Sequence, residues 1–86
     1  MDPYKILKYP LATEKSVKVM EAENKLIFIV NKKSTKKEIK EAVEKAFNVS
    51  VLQVNTMITN KGKKKAYIKL GIDTPALDVA TQLGLI

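Results

Sequence analysis

The stretch ITNKGKKKAYIKL, Ile58 to Leu70, holds five lysines, one glycine and one tyrosine, and no acidic residue. Ammonium groups at this density suit the neutralisation of phosphates. The amides of Asn60 and, just upstream, Asn55 can donate to phosphate or sugar oxygens, and the Tyr67 ring offers a surface for stacking. A second basic group, Lys32, Lys33, Lys36 and Lys37, surrounds Thr35, where a helix opens. Lysine at a helix N-terminus opposes the helix dipole, so local stability does not account for these four. A phosphate at that helix end would suit both the dipole and the lysines.

Other chemistry is scarce. All 16 basic residues are lysine, and histidine, cysteine, tryptophan and arginine are absent. The usual neutral-pH acid–base group is therefore missing, and Ser16, Ser34 and Ser50 have no histidine to activate them. Neither a disulfide nor a thiolate metal site can form, and no phosphate-loop or dinucleotide motif is present. The reading is a non-enzymatic chain with no cofactor, no metal and no small-molecule substrate. Lysine brings point charge without the planar fork that reads a guanine edge. Recognition is then expected to address backbone and shape, with little base specificity from charged side chains.

The placement of charge says more than its sum of +7. Residues 1–23 balance four lysines against four acids, whereas residues 24–37 carry five lysines and no acid. Residues 38–44 are net −2, residues 45–72 net +6, and residues 73–86 net −2. A merely soluble surface intersperses the signs. Two segregated basic blocks point to a polyanionic partner.

The elements that must position these groups follow from periodicity. Eighty-six residues make a single domain, 1–86, able to bury roughly 60–65% of its unfolded surface. Pro3 and Pro10 bracket YKILKY, read as an edge strand. Thr13 caps a helix with Glu14 in its first turn and a narrow stripe of Val17 and Met20. KLIFIV, residues 25–30, reads as a strand covered on both faces. Thr35 and Glu38 form a capping box, and Ile39, Ala42, Val43, Ala46 and Phe47 follow at helical spacing to an Asn48 stop. VSVLQVNTMIT and KKAYIKL form a hairpin around Asn60-Lys61-Gly62-Lys63. A last helix starts with Thr74 as cap and Pro75 at its first position, and ends at Gly84. The expected class is α+β: a four-stranded, mainly antiparallel sheet with packed helices, in the order β-α-β-α-β-β-α. No segment resembles a signal core or a membrane span, so a cytoplasmic protein without membrane insertion is expected.

Alternation then sorts the hairpin by face. Ala66, Ile68 and Leu70 point to the core, and Lys65, Tyr67 and Lys69 point away. On the preceding strand Leu52, Val54, Thr56 and Ile58 form the apolar set, with Gln53 and Asn55 opposite. Aligned, the polar sets make a patch running into Lys61, Lys63 and Lys64. The competing explanations are lysines that protect a sheet edge from aggregation and a tyrosine half-covered by its neighbours.

Three stretches, KYPLATEKS, KKSTKKEIKEAVEKAFNVSVLQVNT and KKAYIKL, together resemble the ribosomal protein twenty-three family of the large subunit, in its archaeal form. The resemblance runs from about Tyr4 to Leu85. It implies binding to large-subunit ribosomal RNA, a β-α-β-α-β-β core, a place at the rim of the polypeptide exit tunnel and neighbouring ribosomal proteins. In bacterial relatives the glutamate of the TEK segment helps dock a chaperone, and signal recognition particle also binds there. By that resemblance Thr13, Glu14 and Lys15 are factor-docking candidates for signal recognition particle or nascent-chain chaperones. A first-turn glutamate favoured by the helix dipole explains Glu14 equally well. Two features depart from the family. The hairpin has a short turn where bacterial members carry a long tunnel loop, and Gly71 replaces a small polar residue. Two other functions compete with this one. A free-standing single-strand RNA-binding domain would stack bases on two or three aromatics, where KKAYIKL supplies one. An adaptor to an acidic protein or anionic membrane would need an aromatic-rich amphipathic helix that this chain lacks.

Overall fold

In the computed structural model, which describes residues 2–85, the first departure from the sequence pattern comes at once. Pro3–Ile6 is a one-turn helix, α1, and only Leu7–Pro10 is extended, as β1. The Asp2 carboxylate accepts from the Tyr4 backbone N–H at 3.0 Å, and Pro3 enters with its φ already near helical. The change from helix to strand brings the consecutive residues Ile6 and Leu7 into one core cluster, where uninterrupted alternation would point them to opposite faces.

Helix α2, Glu14–Glu23, starts as expected: the Thr13 hydroxyl accepts from the Ser16 N–H at 3.2 Å. Met20 is buried, while Val17 is only half-buried, because the buried Ser16 hydroxyl takes the neighbouring position and donates to Thr13 and Leu11 carbonyls. Strand β2, Lys25–Val30, is buried from Leu26 to Val30, on both faces. Helix α3, Lys36–Phe47, carries the complete capping box, with Glu38 N–H donating to Thr35 Oγ1 at 3.1 Å and Thr35 N–H to Glu38 Oε1 at 2.9 Å. It ends on Asn48 in the left-handed region, φ 55.

Strands β3, Val51–Ile58, and β4, Lys64–Leu70, form the hairpin, and helix α4, Ala76–Gln82, follows. The strand order is β1-β2-β4-β3, and all neighbours are antiparallel. The connection through α3 therefore leaves room for β4 between β2 and β3. One face of the sheet buries Leu26, Phe28, Val30, Val54, Ala66, Ile68 and Leu70 in a cluster with Ile39, Ala42 and Val43 of α3. Each fully buried leucine or isoleucine there contributes roughly 1.5–3 kcal/mol.

Two expectations need correction. Simple alternation fails along β3, because its pairing with β4 skips a residue between Val51 and Gln53. That irregularity buries Val51 and Val54, three apart, and leaves Leu52 63% exposed, while Ile58, on the Val54 side, is 53% exposed because it ends the strand beside the hairpin turn. Thr74 does not cap α4. Pro75 flanks the helix without a side-chain bond, and Asn24 accepts from the Ala76 N–H at 2.6 Å, from far back in the chain. The Asn24 amide also donates to the carbonyls of Leu70, Gly71 and Thr74, at 3.2, 3.1 and 3.1 Å. One left-handed asparagine (φ 54) thus ends α2, anchors the end of β4 and caps α4. The far end of α4 closes on Gly84, φ 74, with Gly84 N–H bonded to Thr81 and Leu85 N–H to Ala80. That is the double bond of a Schellman stop.

Candidate nucleic-acid interface

The hairpin turn is fixed by its own backbone. Thr59 N–H donates to the Lys63 carbonyl at 2.8 Å, and Gly62 N–H to the Thr59 carbonyl at 2.9 Å. Gly62 sits at φ 78, the left-handed position that a three-residue hairpin loop requires after its turn. Asn60, Lys61 and Lys63 are thereby held exposed at the tip of the sheet.

Behind the tip the polar sets do align. Gln53 stands opposite Lys69, Asn55 opposite Tyr67, and Met57 opposite Lys65. On the other side of β4, Lys69 faces Lys25, Tyr67 faces Ile27, and Lys65 faces Ile29. Because β4 is an inner strand, paired on both sides, its lysines do not protect an edge. Like charges placed directly across a sheet are destabilising. Glu23 offsets Lys25 at 3.3 Å, but among the described residues no carboxylate lies within ion-pair distance of Lys65 or Lys69.

Tyr67 is half-buried, and it lines a small hollow with Lys65, Ile27, Val19 and the start of α2, including Thr13 and Lys15. The Lys65 ammonium lies 5.9 Å from its ring centroid. Packing against its neighbours is thus part of what Tyr67 does.

The lysines around α3 separate into two groups. Lys36 and Lys37 are exposed on the first turn, and Lys33 lines a hollow with Lys5, Asn31 and Glu38. The anion at that helix end is the protein's own Glu38, through the capping box. Lys32 instead reaches the hairpin turn, its ammonium 3.6 Å from where a side chain at Gly62 would begin.

At this point the two basic blocks meet. Lys32, Gly62, Lys63 and Lys64 share one hollow of about 330 Å³ with Lys8, Tyr9, Ile29 and Val30. Lys63 Nζ donates to Tyr9 Oη at 2.9 Å, and Lys64 Nζ donates to the Ser34 carbonyl. Lys8 and Tyr9 were not singled out from sequence. They lie in the charge-balanced first block, and only the pairing of β1 with β2 brings them to the hairpin. The one local signal was a lysine beside an aromatic ahead of Pro10.

On α2, Thr13, Glu14 and Lys15 are all exposed, and Glu14 pairs loosely with Lys18 at 3.5 Å, one turn on. Thr13 and Lys15 share the Tyr67 hollow with the sheet face.

The family model of ribosomal protein L23 matches residues 5–76, every strand of the sheet included. This chain belongs to the L23 family. Among its relatives are the large ribosomal subunit protein uL23 of Methanococcus aeolicus and that of Methanococcus vannielii. Each is 49% identical over 85 residues, covering 99% of this chain and 99% of the relative. The archaeal resemblance read from KYPLATEKS and the following stretches is therefore borne out, as is the α+β class. In this L23-family chain the matched range takes in both the hairpin and the Lys8–Tyr9 segment that closes its hollow.

Proposed function

We propose that this chain is a non-catalytic, structural constituent of the large ribosomal subunit, binding large-subunit ribosomal RNA near the polypeptide exit tunnel. The observation that carries the reading is the convergence of two lysine blocks at one end of the sheet, in a shared hollow that no carboxylate lines among the described residues. Lys61, Lys63, Lys64, Lys65 and Lys69 would neutralise phosphates together with Lys32, while Asn55 and Asn60 donate to backbone oxygens. Lys33, Lys36 and Lys37 extend the contact around the start of α3, and Tyr67 borders it. Fixed positive charge on a rigid sheet selects RNA shape and not sequence.

The hairpin ends in a tight turn, so it lies against RNA and not inside the tunnel. The less basic α2 stays free for proteins: Thr13, Glu14 and Lys15 would dock signal recognition particle or nascent-chain chaperones, with other ribosomal proteins as neighbours. The setting is the cytoplasmic ribosome. Sucrose-gradient sedimentation of the tagged full chain from a cell extract tests this. Comigration with large subunits at low salt, reduced by a high-salt wash, is the expected result. A chain that stays at the top of the gradient, and binds short unstructured RNA as tightly as folded ribosomal RNA, would instead be a free-standing single-strand binder.

A further inference from the structure

We propose that the hollow between β1 and the β3–β4 hairpin seats one unstacked ribonucleotide, its phosphate among the lysines and its base on Tyr9. This rests on the RNA-binding reading above and adds to it a defined subsite. The hollow, about 330 Å³, falls at the small end of ligand-sized pockets. Ile29 and Val30, both more than nine-tenths buried, form its floor, and Lys8, Lys32, Lys63 and Lys64 its rim. Among the described residues no carboxylate lies within ion-pair distance of any of these four lysines. Concentrated charge of one sign around a partly apolar concavity focuses attraction on an anion.

Tyr9 decides which anion. The residue is 41% exposed, on an edge strand that a base can approach from the side. The Lys63 ammonium lies 2.9 Å from the hydroxyl and 5.5 Å from the ring centroid. The hydroxyl itself lies on the long axis of the ring. The two distances therefore place the ammonium beyond the hydroxyl, nearly in line, and not over a ring face. Lys63 thus tethers the ring and leaves its faces clear of the ammonium. A ring already held in place loses less freedom when a base stacks on it. Tyr67, by contrast, is half-buried beside α2 and Lys65. An acidic peptide would use the charges but gain nothing from a ring face and an apolar wall.

The test is an NMR titration of the full chain with a uridine tetranucleotide, with inorganic phosphate at matched ionic strength and with a tetraglutamate peptide. The tetranucleotide is expected to shift the amides of Ile29, Val30 and Gly62 well beyond either control. Tyr9→Leu should weaken tetranucleotide binding about fivefold to a hundredfold, the range of one base–aromatic stack. Tyr9→Phe, which keeps the ring and loses the tether, should weaken it less, and Tyr4→Leu, at an exposed aromatic outside the hollow, should leave it unchanged. Phosphate or tetraglutamate shifts equal to those of RNA would overturn the proposal, as would an unaltered affinity in Tyr9→Leu. If the wild type binds folded large-subunit RNA while Tyr9→Leu binds the tetranucleotide normally, the seat falls and the RNA reading stands. If the wild type binds no ribosomal RNA, the reading itself falls.

Discussion

Replacing Asn24 by alanine is predicted to cost about 3–5 kcal/mol, a large part of the roughly 4–13 kcal/mol expected of a domain this size. Its amide hydrogens are shared among the carbonyls of Leu70, Gly71 and Thr74, and its oxygen accepts from Ala76 N–H. Counting three effective bonds at about 1 kcal/mol each gives about 3 kcal/mol. The left-handed backbone at φ 54 adds about 1 kcal/mol for a residue with an unassisted Cβ. Asn24→Gly loses the bonds but tolerates the backbone, so it should be the milder change, at about 2–4 kcal/mol. Urea unfolding followed by circular dichroism separates the two, with an unchanged m-value showing that stability alone has moved. Hydrogen exchange at Ala76 should lose its protection in both variants. A cost below about 1 kcal/mol, or an alanine variant as stable as the glycine one, would refute the reasoning.

Thr35→Ala removes the cap of α3 and should cost about 1 kcal/mol, read as a fall of about 4–8 °C in the thermal midpoint. Gly62→Ala strains the hairpin turn at φ 78 and should cost about 1 kcal/mol by the same measurement. Glu14→Ala, on a fully solvated turn, should move stability by less than about 0.5 kcal/mol. It should nonetheless lower the cosedimentation of signal recognition particle or a nascent-chain chaperone with subunits carrying the variant.

What was legible in the sequence was what is locally determined. The capping box at Thr35 and Glu38, the Ile39–Val43 face and the Asn48 stop all depend on neighbours a few residues away, and each is found as read. The burial of β2 on both faces was equally plain, because KLIFIV has no polar side to show. Pairing-dependent features were hidden. The irregularity at Leu52 exists only against β4, so alternation along β3 alone misassigned it. The cap on α4 comes from Asn24, and no pattern around Thr74 announces a partner 52 residues away. The site divides the same way. The hairpin lysines and their alignment with Gln53 and Asn55 followed from alternation and a two-strand turn. That β4 is an inner strand, and that Lys8 and Tyr9 close a hollow with Lys32 and Lys63, follows from strand order, which a hairpin sequence does not contain.

The central claim is that lysines on the hairpin hold RNA by neutralising phosphates, and the salt dependence of binding tests it most directly. Affinity for a folded large-subunit ribosomal RNA fragment is to be measured between about 50 and 200 mM salt. Contacts from Lys61, Lys63, Lys64, Lys65 and Lys69, at roughly 0.7–0.9 each, contribute about −4 to the slope of log affinity against log salt. Replacing Lys61, Lys63, Lys64 and Lys65 by glutamine should weaken binding severely and make the slope shallower by about 3. A quadruple variant with the wild-type dissociation constant and the wild-type slope would contradict the account.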